Sequence, residues 1–174
     1  MNYKALAIGA AASIVSLVIV QPRPAGAGAE IKAVGALTTT FLNPDIASRT
    51  QGDLMILSRY ALSTYGGPLQ GTTLALQTVV RDDAVEKKAF QTNIGQFWGT
   101  LEGFEPGSFS FITHNVVDRS NLPATQFEAK FVVVEGTGSG GLEGICGGGT
   151  LRTVGAGTEY NYTFRFGKDC KAND

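Results

Sequence analysis

The chain is 174 residues long, enough for one domain with a sizeable core and too short for two comfortable ones. Hydrophobic residues make up 43% and the formal net charge is -1, which excludes a disordered chain. With 14 basic and 15 acidic residues, neither nucleic acid nor an acidic membrane surface is an expected partner.

Residues 1–29 read as a targeting segment. Lys4 supplies a positive start, and Ala5 to Val20 is an uncharged apolar run. Gln21-Pro22-Arg23-Pro24 breaks that run. Ala25-Gly26-Ala27 and Ala27-Gly28-Ala29 then offer small-residue cleavage sites. The run is shorter than the roughly 20 apolar residues of a membrane-spanning helix. The expectation is a Sec-type signal cleaved near Ala27 or Ala29. It leaves residues 30–174 as one secreted or periplasmic domain without stable membrane insertion; an uncleaved anchor is the alternative.

Eight strand candidates follow, bounded by Gly, Pro, Asn or Asp. They are Ile31–Phe41, Gly52–Leu62, Leu69–Val80, Phe90–Gly103, Ser108–Val117, Thr125–Glu135, Gly141–Thr153 and Thr158–Phe166. Asp82 to Phe90 reads as a loop with one helical turn at most, because its apolar residues lack helical spacing. Period two is clear near the end. Phe127, Ala129, Phe131 and Val133 share one face, as do Tyr160, Tyr162, Phe164 and Phe166. Short connections predict antiparallel neighbours. The 23 glycines fit many tight turns. An eight-stranded meander leaves two exposed edges unless it closes, so the predicted fold is all-β, a closed antiparallel up-and-down barrel. A two-sheet β-sandwich is the alternative.

Chemistry-bearing motifs are few. Gly136-Thr137-Gly138-Ser139-Gly140-Gly141 satisfies a dinucleotide-binding pattern, but the glycine-rich chain after it does not make the required helix. His114 is the only histidine, and no serine motif or carboxylate cluster accompanies it. No metal site and no cofactor are therefore expected. As candidates for lining a barrel lumen, Tyr60, Trp98, Tyr160 and Tyr162 combine apolar area with a polar tip, and Tyr65 belongs with them. Glu102 and His114 are the candidate polar groups. Arg59, Glu102 and Glu128 are charges on otherwise apolar strands; an inward Arg–Glu pair would mark a site. Cys146 and Cys170 are the only cysteines, and an even pair in an exported chain predicts a disulfide.

Three blocks then carry a family resemblance. They are Phe97-Trp98-Gly99-Thr100-Leu101-Glu102-Gly103 followed by Gly107-Ser108-Phe109-Ser110-Phe111, the run Val133 to Gly147, and Tyr160-Asn161-Tyr162-Thr163-Phe164. Together they resemble the bacterial family known as domain of unknown function 3224, over roughly residues 50 to 166. The targeting segment and the two cysteines suggest an exported member. The resemblance implies an eight-stranded barrel similar to that of allene oxide cyclase. It implies no activity and supplies no catalytic residues.

Three functions remain open at this point. One is a module binding a small hydrophobic or amphipathic molecule in the barrel. Another is a cyclase or isomerase that confines an apolar substrate, with His114, a tyrosine or Glu102 as a modest polarising group. The third is a structural or protein-interaction module with a filled barrel.

Overall fold

The computed structural model describes residues 29–82, 88–118, 126–155 and 157–170. Residues 1–28 of the expected targeting segment, and residues 83–87 of the expected loop, lie outside them. The described chain is strand after strand: β1 (Ile31–Gln51), β2 (Leu54–Gly66), β3 (Leu69–Asp82), β4 (Lys88–Leu101), β5 (Gly107–Asp118) and β6 (Gln126–Val133). Then come a two-residue bridge β7 (Ser139–Gly140), β8 (Ile145–Val154), β9 (Gly157–Phe166) and a single 3-10 turn, Gly167–Cys170. The long strands lie in the order β4-β3-β2-β1-β9-β8-β6-β5, and β4 pairs back with β5. Every pairing is antiparallel. This is a closed eight-stranded up-and-down barrel, as the strand pattern predicts, and closure excludes the sandwich. It removes the two edges that an open meander would expose.

The first hairpin corrects one sequence expectation. Asn43-Pro44-Asp45 reads as a break after Phe41, yet β1 continues to Gln51. The pairing with β2 slips between Leu42 and Ala47, so the awkward residues sit in an irregularity rather than in the ladder. Proline is tolerated in a sheet at such a place. A tight turn at Gly52-Asp53, with Gly52 at φ +61°, then reverses the chain.

One end of the barrel is filled with rings. Tyr160, Tyr162 and Phe164 on β9 point inward, as their alternation predicts, together with Phe131, Phe97 and Phe109. Tyr162 stacks on Phe131 at 4.2 Å between centroids, and Phe97 stacks on Phe109 at 4.9 Å. The Tyr160 hydroxyl donates to the Gly66 carbonyl at 2.9 Å and accepts from the Leu69 N–H at 3.2 Å, so this buried polar tip is satisfied. Gly35 makes room for it, because a Cβ there would lie 2.5 Å from the hydroxyl oxygen.

The Cys146–Cys170 disulfide ties the 3-10 turn to the start of β8, with the Cα atoms 5.5 Å apart. The bond closes a loop of sequence separation 24. In the chain-entropy picture this stabilises the fold by about 3 kcal/mol. The double variant Cys146→Ala/Cys170→Ala is expected to lose about that much in urea unfolding. An unchanged midpoint would show that the tail contributes nothing to the barrel.

Candidate functional site

The other half of the barrel is hollow. A cavity of about 560 Å³ opens there, and side chains from seven of the eight long strands and the start of β9 border it. Its shape follows from residue size. Ala61, Ala75 and Gly95 are successive cross-strand partners on β2, β3 and β4, facing inward. This small row leaves the space that rings occupy elsewhere in the lumen. Gly95 is held to that role, since a Cβ would meet Ala75 Cβ at 2.6 Å and the Phe111 ring at 2.8 Å.

Above the small row lies a polar one. Arg59, Gln77, Asn93 and Thr113 are successive partners across β2, β3, β4 and β5. Gln91 and Asn115 pair one step further along β4 and β5. The Arg59 Nε–H donates to Gln77 Oε1 at 2.8 Å, and Gln77 Nε2 donates to Gln91 Oε1 at 3.2 Å. Asn115 Nδ2 also donates to Gln91 Oε1, at 3.4 Å, while Asn93 Nδ2 donates to Thr113 Oγ1 at 2.5 Å. Two buried acceptors, Asn93 Oδ1 and Asn115 Oδ1, have no hydrogen-bond partner. An unpaired buried acceptor carries a penalty of about 1–3 kcal/mol.

Arg59 is the charged member of the cavity wall. No carboxylate lines the cavity among the described residues. Its guanidinium lies 3.4 Å from the centroid of the Phe41 ring, a cation–π arrangement at the mouth. Burial draws its pKa down from the ordinary value, and the charge of Asp45 opposes that. The Arg–Glu pair considered from sequence does not form: Arg59 points inward, while Glu128 is exposed on the outer face of β6.

The six residues singled out from sequence divide three ways. Tyr160 and Tyr162 point into the barrel, but in its filled half. Tyr60 and Trp98 project outward, exposed by 45% and 47%. His114 is also outward and exposed, with Nδ1 3.4 Å from Thr92 Oγ1 across the strand pair. Glu102 is not on a strand: β4 ends at Leu101, and Glu102 lies exposed in the following turn, its N–H bonded to the Pro68 carbonyl at 2.8 Å. These four residues are therefore not lumen groups. Tyr65 does reach the cavity wall. Sequence reasoning singled out Arg59 but missed the rest of the polar row. Its trace is an inward series on β3, Thr73, Ala75 and Gln77, where a filled barrel would place larger apolar residues.

The glycine motif has a structural role here. Residues 136–141 make turns around β7, which pairs with Gly107 and Ser108 at the start of β5. β8 follows rather than a helix, so there is no dinucleotide cradle. No group of three or more His, Cys, Asp or Glu side chains arranged to hold a metal occurs among the described residues.

Comparison with known proteins agrees with this architecture. A crystal structure of a protein of unknown function from the DUF3224 family, from Shewanella oneidensis MR-1, superposes with a TM-score of 0.66. The match covers 80% of this chain and 98% of that one at 19% sequence identity, so it speaks for the fold alone. No curated protein matches the chain. The family model described as "Protein of unknown function (DUF3224)" matches residues 35–166, spanning the barrel from β1 to the end of β9, and the chain accordingly belongs to the DUF3224 family.

Proposed function

We propose that this protein is an exported binding module that holds a small amphipathic molecule bearing an acidic group in the hollow half of its barrel. One observation carries the reading: a row of inward polar side chains led by Arg59 borders a cavity of about 560 Å³. A lumen built only for stability favours apolar filling, because buried polar groups need partners that water no longer supplies. The unpartnered Asn93 and Asn115 oxygens suit donors on a ligand, such as hydroxyl groups. Arg59 suits a carboxylate, and Leu37, Phe41, Phe111 and Leu151 supply apolar wall for the rest of the molecule. The volume falls in the usual range of roughly 300–1,000 Å³ for small-molecule sites. Confinement of a wholly apolar substrate fits less well, since it would leave the Asn93 and Asn115 oxygens without donors and offer the Arg59 charge no counter-ion. The disulfide and the apolar run near the N-terminus support export.

Calorimetric titration with octanoate and octanol tests the reading. Octanoate is expected to bind, and Arg59→Gln to weaken it by about 10- to 100-fold, the worth of a charge-assisted hydrogen bond. Octanol binding should be weaker in the parent and unchanged in the variant. Equal affinity of parent and Arg59→Gln for octanoate would sink the assignment of Arg59. Failure of both probes, with a bare chain in native mass spectra of protein from its own host, would sink the binding function.

A further inference from the structure

The outside of the barrel is divided by charge. On β6, β8 and β9 the outward side chains include Glu128, Lys130, Arg152, Glu159 and Arg165, and Lys32 adds another from β1. Two ion pairs lie on this side, Arg152–Glu159 at 3.3 Å and Arg165–Glu30. The strands β2 to β5 differ completely. From Leu54 to Val116, none of their described outward side chains is Asp, Glu, Lys or Arg.

Apolar residues take the place of charge, and the registers stack them into rows around the barrel. Tyr60, Leu76, Ile94, Ile112 and Val132 are successive partners on five adjacent strands. Ile56, Val80, Phe90 and Val116 form a second row four residues away along each strand. Leu62, Leu74 and Trp98 extend the face in the other direction. Ile94, near the centre, is 59% exposed. The exposed parts of these side chains amount to on the order of 1,000 Å², comparable to the roughly 800 Å² that each partner contributes to a standard protein interface. Isolated soluble domains seldom present an apolar patch of this size.

We propose that the outer face of β2–β5 packs against a second copy of this chain. The row lying between the two apolar rows identifies the occupant. It consists of Ser58, Thr78, Thr92 and His114, again successive partners. Each of these groups can both donate and accept a hydrogen bond, so the same row on a symmetry-related copy complements it. Hydrocarbon would offer no partner to Ser58, Thr78 or the second ring nitrogen of His114, and the charged half of the barrel rules out immersion in a bilayer. Tyr60 and Trp98, expected from sequence in the lumen, are here the aromatic anchors common at interface centres. This inference does not depend on what the cavity binds.

Sedimentation analysis of the oxidised protein as recovered from its host tests it, the N-terminus being fixed by intact mass. The protein is expected to sediment as a dimer or a higher closed multiple at micromolar concentration. Ile94→Glu puts a charge at the centre of the face and should weaken association by about 100-fold or more. Leu76→Lys, a second exposed position, should act the same way, and Val34→Lys on the charged side should change nothing. Circular dichroism and urea unfolding of each variant confirm that the barrel is intact. A parent that stays monomeric at high micromolar concentration overturns the proposal. So does an oligomer that responds to Val34→Lys but to neither face variant. Flotation of a monomer with liposomes would assign the face to lipid instead. Hydrogen-exchange protection of the face in a monomer, seen only when residues 1–28 are present, would assign it to the chain's own N-terminal segment.

Discussion

Tyr162→Ala is expected to lower the unfolding free energy by about 3–5 kcal/mol, the range for deleting a buried aromatic ring. Tyr162 is fully buried and lies where the aromatic end of the lumen is densest. Its ring stacks on Phe131 at 4.2 Å and lies 4.9 Å from Tyr160 and 5.8 Å from Phe164. These partners stand on strands of a closed barrel, so they cannot collapse into the vacated space without breaking the ladder. The loss should therefore include a cavity penalty beyond the transfer of the ring. Tyr162→Phe removes only the 3.4 Å contact with the Tyr65 hydroxyl and is expected to change stability by about 1 kcal/mol at most. Asn161→Ala, one residue away on the exposed face, should stay within about 0.5 kcal/mol. Urea unfolding of the three variants checks the inward register of β9. An Asn161→Ala loss larger than that of Tyr162→Ala would reverse it.

Alkaline pH should destabilise the barrel through the same rings. Burial pushes the Tyr65 phenol up to about 12, and the Tyr162 hydroxyl only partly offsets this. Burial also raises Tyr162 well above its ordinary value, with the neighbouring Tyr65 adding to it, and Tyr160 moves in the same direction. A raised folded-state pKa means that the folded protein holds its proton when the unfolded chain has lost it. The stability is fully present below the unfolded value near pH 10 and is lost as pH rises toward the folded value. Two units correspond to about 3 kcal/mol for Tyr65 alone, of which about 1 kcal/mol is lost by pH 11. Urea midpoints at pH 9, 10 and 11 should fall steadily in the parent and less steeply in Tyr65→Phe. Parallel curves for the two proteins would remove Tyr65 as the source.

Much of the architecture was legible in the chain before any coordinates. Alternation on β6 and β9 grouped the residues of each face correctly, because there the opposite faces carry Glu128, Lys130, Glu159 and Arg165. Polar against apolar is a contrast that period-two reading detects. The family blocks fell on real structural features: the β4–β5 hairpin, the turns around β7, and the closing strand. The expected disulfide is also present in the structure.

The candidate site was hidden by the absence of that contrast. On β2 to β5 the outer face is as apolar as the inner one, so alternation gives no sign of which side is in. Tyr60 and Trp98 looked like lumen residues for this reason, and the direction of Arg59 stayed open. Their placement is decided by registers across four strands, which local sequence does not encode. The cavity is likewise a property of closure. Ala61, Ala75 and Gly95 are unremarkable separately, and they make a space only when the ladder sets them side by side. By itself, then, the sequence determined the class, the strand count, the aromatic strand that fills one end and the cysteine pair. Which half of the lumen stays hollow, that Arg59 points into it, and that an apolar face turns outward on β2 to β5 were decided only by tertiary structure. Local patterns report burial along one strand, whereas a site depends on which strands meet.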